Sequence, residues 1–130
     1  MDKGQALQAF WESFGIPAID EQSFYDKTTL DELGIGRRYI TYEVSAGRLA
    51  TTNQLLTGSL WYRETSWGPI TRKAEEIAAF VGEDGWTQKI DGGYIHIMLP
   101  QGQIYRRALD PDTSYRRIIF NIEVMFLTSH

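Results

Sequence analysis

Arginine is the chemistry-bearing residue most concentrated in this 130-residue sequence. Six of the nine arginines come as neighbouring pairs, Arg37-Arg38, Arg106-Arg107 and Arg116-Arg117. A planar guanidinium binds carboxylates in bidentate fashion and is favoured at protein contacts, and seventeen acidic residues are present to meet it. Neighbours in a strand point to opposite faces, so each pair offers at most one side chain to a given surface. Solvated strand ends with weak ion pairs are the competing reading of any single pair. The four tryptophans divide in the same way. Trp11 falls on a helical apolar stripe and reads as core. Trp61 and Trp67, on either side of Arg63, suit interface anchors, with plain packing the bland alternative, and Trp86 carries no assignment.

Catalytic sets are hard to assemble from the rest. His96 alternates with apolar neighbours in a strand-like run, and His130 is the last residue of the sequence, so neither reads as a general base or ligand. No nucleophile-elbow motif is present, and with no cysteine there is no thiolate chemistry or zinc spacing. Asp110, Asp112 and Ser114 imitate the start of a calcium loop. However, Tyr115 stands where that loop needs glycine, Asn121 where it needs glutamate, and Pro111 interrupts it, so the segment reads as a turn. Gly34-Ile35-Gly36-Arg37 and Asp91-Gly92-Gly93 are glycine turns without dinucleotide spacing or a P-loop Lys-Ser/Thr.

The formal net charge of −4 argues against a protein whose affinity comes from neutralising phosphates. Apolar runs of only a handful of residues fall far short of the ~20 needed to cross a bilayer. A chain lacking both cysteine and an N-terminal apolar run is expected to work, or to be assembled, in a reducing interior. Its length suits one domain, 1–130.

Placing these side chains requires a helix-and-sheet scaffold. The stretch Thr57 to Val81 reads as a strand, a bend and an amphipathic helix. Leu60 and Tyr62 point one way and Trp61 and Arg63 the other. Ile70, Ala74, Ile77, Ala78 and Val81 then recur at helical spacing, opposite Arg72, Lys73, Glu75 and Glu76. Pro69 suits the first helical turn and Gly82 the C-terminal cap. Asp2, with Gln5 three residues on, caps an N-terminal helix carrying Leu7, Phe10, Trp11 and Phe14, which stops at Gly15-Ile16-Pro17. Ile16 to Asp20 is a candidate short strand, and the segment to Arg38 reads as a long loop with one helical turn near Leu30 to Leu33. Tyr39 to Ala46 alternates as a half-buried strand, and Gly47 to Gln54 reads as its connection to the next.

Further on, Trp86 to Ile90, Tyr94 to Leu99 and Gln103 to Leu109 read as strands, and Tyr115 to Thr128 as the longest. In that last run Ile118, Phe120, Ile122, Val124 and Phe126 form one apolar face, while Arg117, Ile119, Asn121, Glu123, Met125 and Leu127 make the other mixed. The expected fold is α+β: a mostly antiparallel sheet of about five or six strands, with the N-terminal and central helices packed on one face and the other only partly covered.

In this order, a helix, Ile16-Pro17, a long loop, YITYEV, SLWYR, ITRKAEEIAAFV, DGGYIHI and RRIIFNIEVMFLT, the chain resembles the small tail-terminator, or tail-completion, proteins of long-tailed bacteriophages and prophages. The resemblance covers nearly the whole chain in element order and length, and rests on overall pattern and not on a signature motif. It implies a ring, usually of six copies, that caps the tail tube, stops its polymerisation and presents a joining surface to the head's connector. Such proteins are virion components assembled in the bacterial cytoplasm. They are not enzymes, need no cofactor or metal, and pass DNA through the lumen without reading it.

On that basis the mixed sheet face and the loop after Ile19 are expected to supply subunit contacts, with Arg37, Arg38, Trp61, Arg63, Arg116, Glu123 and Met125 as the candidate residues. A ring of identical subunits needs two different complementary patches. Two other readings stay open. One is a different neck or head-completion component, and the other is a cytosolic single-stranded nucleic-acid binder using Tyr42, Tyr94 and Trp61 as stacking platforms.

Overall fold

A computed structural model describes residues 1–20, 37–45, 53–100, 102–109 and 114–128. Within them two helices, α1 (Lys3–Glu12) and α2 (Gly68–Val81), accompany seven strands: β1 (Ala18–Asp20), β2 (Arg38–Ser45), β3 (Asn53–Tyr62), β4 (Trp86–Ile90), β5 (Gly93–Met98), β6 (Tyr105–Ala108) and β7 (Arg116–Thr128). The fold is α+β. The long loop with its helical turn, the connection between β2 and β3, and the turn at Asp110-Pro111-Asp112 lie outside the described residues.

Local signals explain both helices. The Asp2 carboxylate accepts from the Gln5 backbone N–H at 2.8 Å, and the Gln5 side chain accepts from the Asp2 N–H at 2.9 Å. Two donors that the first turn leaves without partners are thereby satisfied. Ala6, Leu7, Phe10 and Trp11 are buried. Gly15 then turns the chain at φ 81°, a conformation that favours glycine. In α2, Pro69 occupies the first turn, and Gly82, at φ 64°, donates to Ala78 O at 2.9 Å. Ile70, Ala74, Ile77 and Val81 are buried and Arg72, Glu75 and Glu76 exposed. Lys73 ties the helices together by donating to Phe14 O at 3.1 Å, just beyond the end of α1.

The sheet runs β1-β2-β3-β7-β5-β4, with β6 also on β7. Every pairing is antiparallel except that of β1, which runs parallel to β2 with Ala18 opposite Ile40. The 13-residue β7 is long enough to hold two strands in succession along one side. Residues 117–120 pair with β6 and residues 123–128 with β5. Seven strands thus stand where five or six were expected, because the three-residue β1 and four-residue β6 both pair.

Register decides what shares a face. Ile40, Leu60 and Ile118 lie side by side, as do Tyr42, Gly58 and Phe120. These residues, with Leu56, Ile95, Ile97, Ile122 and Val124, join the helical side chains in one buried cluster. Full burial of such an aliphatic or aromatic side chain stabilises by roughly 1.5–3 kcal/mol. Phe126 is only partly buried at the edge of this cluster, with the Lys3 ammonium 4.5 Å from its ring centroid.

The second face departs from expectation. Tyr39 and Thr41 alternate with the core residues Ile40 and Tyr42 and so lie on the face expected to be only partly covered, yet they are 4% and 2% exposed, and Ser59 beside them is 1% exposed. Tyr39 and Tyr115 form a separate buried cluster with Ile19 and Trp61 packed against it. This face is closed where β7 begins and open where it ends.

Candidate assembly surface

At the end of the sheet where β2 and β7 start and β3 finishes, each arginine pair meets an aromatic ring. The Arg38 guanidinium lies 4.5 Å from the Tyr62 ring centroid and donates twice to Glu64, from Nε at 2.7 Å and Nη2 at 2.9 Å. That bidentate bond holds the Arg38 pKa above its ordinary value. Tyr62 is also shifted up, chiefly by burial, with the Arg38 charge opposing. Arg116 donates to Thr65 O at 2.8 Å and lies 5.5 Å from Trp67, and Arg107 lies 4.6 Å from the same indole. On the second face Arg117 covers Trp61 at 4.3 Å and donates to Ser59 Oγ at 3.1 and 3.3 Å. Trp61 in turn stacks on Tyr39 at 6.0 Å and donates its indole N–H to Thr41 Oγ1 at 3.0 Å.

The fold does not bring the seven candidate contact residues together. Arg37, Arg38, Trp61, Arg63 and Arg116 gather at this end, with Arg37 O accepting from Arg63 N at 2.7 Å. Within that group, Arg38 and Arg116 flank the core-side Tyr62 in register, while Trp61 points to the second face. Arg37 and Arg63 are exposed. Glu123 and Met125 sit on the second face seven or more residues further along β7, roughly 23 Å away or more at strand rise.

At that far end the second face is open. Tyr94 and Leu127 are opposite one another in register and are 42% and 44% exposed. His96 lies beside Met125 and within 2.6 Å of Thr87 Oγ1, through Nδ1. Of the three stacking candidates for nucleic acid, Tyr42 is in the core at 4% exposure and Trp61 is covered by Arg117, which leaves Tyr94. Tyr42 shares the core side of β2 with Ile40, and that alternation removes it from any stacking surface.

A recess of 190 Å³ opens between α1 and the β4–β5 turn, lined by Lys3, Ile90, Asp91, Phe126 and Leu127. It is smaller than the ~300–1,000 Å³ usual for small-molecule sites. Among the described residues, no three His, Asp or Glu side chains group as a metal site, and no helix is long and apolar enough to cross a membrane.

Sequence reasoning passed over two exposed apolar residues, Leu109 at 97% and Phe80 at 47%. Phe80 carried a readable signal, since it is an apolar residue off the buried stripe of α2. Leu109 carried another, as the last residue before the Asp110-Pro111 turn. No protein-family model matches the chain, and no curated protein matches it in sequence.

Proposed function

We propose that this chain is a structural virion subunit similar to phage tail terminators. In this reading it assembles as a ring, usually of six copies, that caps the tail tube, ends its polymerisation and offers a joining surface to the head's connector. Both helices shelter one sheet face, and the second face, with the exposed arginine end, supplies contacts to neighbouring copies. DNA passes through the lumen without being read, and no cofactor or catalytic step is involved. Assembly takes place in the host bacterial cytoplasm and the product resides in the virion.

The observation that carries this reading is the open half of the second face. Tyr94 and Leu127 form an exposed cross-strand apolar pair beside Met125 and Glu123, on a face whose other half is sealed. Apolar surface placed this way is characteristic of protein contacts. Light scattering should give a mass several times 14.9 kDa, and micrographs of that species should show rings. Replacing Arg63 or Glu123 by alanine should lower the mass while leaving the circular dichroism spectrum unchanged. An unaltered mass would remove those two residues from the interface. Filter binding of single-stranded DNA at low salt is expected to be negligible, and strong binding that weakens steeply with salt would favour the nucleic-acid reading instead.

A further inference from the structure

We propose that copies of this chain join head to tail through two oppositely charged patches, each centred on an exposed apolar side chain. On one copy the patch is Leu109 with Arg107. On the next it is Phe80 with Glu83 and Asp84. The inference rests on the self-assembly reading above and adds two patches to the second-face surface that reading uses.

Leu109, 97% exposed, follows β6 directly, and Arg107 two residues before it is exposed, while Arg106 turns to the opposite face. The Arg107 guanidinium lies 4.6 Å from the Trp67 ring centroid, which holds this exposed charge close to the surface of the fold. Phe80, 47% exposed, stands at the far end of α2, held edge-on to Phe14 at 5.2 Å. Between Ala74 and Gln88 the sequence has four acidic residues and no basic one. Glu83 and Asp84 are exposed just past the C-terminus of α2, whose last turn carries no basic residue. The helix end carries partial negative charge there as well, so this patch favours a cation such as a neighbour's guanidinium.

The fold sets the patches apart along β7. Ala108 pairs with Arg117 near its start. Gly85, one residue beyond Asp84, packs against His96 and Ile97, which pair with Met125 and Val124. Two different patches at opposite ends, each an apolar centre with a charged rim of one sign, make a heterologous contact. Such a contact closes into a ring or runs on as a filament.

The test measures mass by light scattering for the wild type, for Arg107→Glu, and for Glu83→Lys with Asp84→Lys, each alone and then the two variants mixed in equal amounts. Each variant alone should fall to 14.9 kDa. The mixture should regain the wild-type mass, because each variant's altered patch complements the other's. If both variants keep the wild-type mass, the contact is wrong although self-assembly stands. If the variants are monomeric and the mixture stays monomeric, the two patches do not meet and the proposal fails. A wild type of 14.9 kDa at every salt concentration would overturn this proposal and the ring together. Should charge reversal unfold the chain, Arg107→Gln and Asp84→Asn are expected to show the same loss of mass in milder form, and no loss would overturn the contact.

Discussion

Trp11 of α1 occupies the space that Gly58 of β3 leaves empty. A methyl group placed on Gly58 would come to 2.5 Å from Trp11 Cη2 and 2.7 Å from Cζ2. The indole therefore lies directly over the strand, 6.2 Å from Tyr42 and 6.5 Å from Phe120, the register neighbours of Gly58 on either side. This is a close approach of a ring to a backbone and has nothing to do with glycine's unusual dihedral angles.

Gly58→Ala should accordingly destabilise the fold by about 1–3 kcal/mol through overpacking. The Trp11 indole N–H finds no hydrogen-bond partner among the described residues, so Trp11→Phe removes bulk without breaking a bond. The double variant should lose less stability than the sum of the single changes, as measured by urea unfolding. Strict additivity would show that the two residues do not share the space.

Tyr42 donates to Gln8 Oε1 at 2.5 Å, and Gln8 Nε2 donates to Glu12 and to Ala18 O at 2.7 Å, linking α1 to β1 and β2. Burial, with the negative charges of Asp20 and Glu12 adding to it, pushes the phenol up to about 12 from 10.0. A pKa raised on folding means the folded state prefers the neutral phenol. Its contribution is therefore fully present below pH 10.0 and is lost as pH rises to about 12. Tyr42→Phe should cost about 1 kcal/mol at neutral pH, from the lost bond, and should show a shallower alkaline decline than the wild type. Parallel alkaline profiles for the two proteins would contradict the assignment.

Trp61 should matter more to folding than a surface tryptophan would. Trp61→Phe keeps the stack on Tyr39 but leaves the buried Thr41 hydroxyl without its indole donor, at a cost of about 1–3 kcal/mol. Trp61→Ala removes the stack as well and should cost about 3–5 kcal/mol. Thermal or urea unfolding separates the two, and equal small losses would mark the residue as an exposed contact group and nothing more.

The sequence by itself determined the elements whose signals are local. The Asp2–Gln5 capping pair, Pro69 and Gly82 at the two ends of α2, and the alternation in β7 are each satisfied by residues a few positions apart, so neighbouring side chains suffice to specify them. Tertiary structure decided the rest. A strand as short as Ala18–Asp20 has no period to read, so its parallel pairing with β2 became definite only when that partner was in place. The arginine pairs were visible as pairs. However, whether a guanidinium faces a carboxylate of another molecule or lies on an aromatic ring of its own depends on register across strands. Trp61 opposite Arg117 and Tyr62 opposite Arg116 are separated by more than fifty residues in the chain. The same cross-strand placement buried Tyr39, Thr41 and Ser59 on the face expected to be only partly covered. Alternation fixes only which side of a strand a residue takes; what covers that side is contributed by distant parts of the chain.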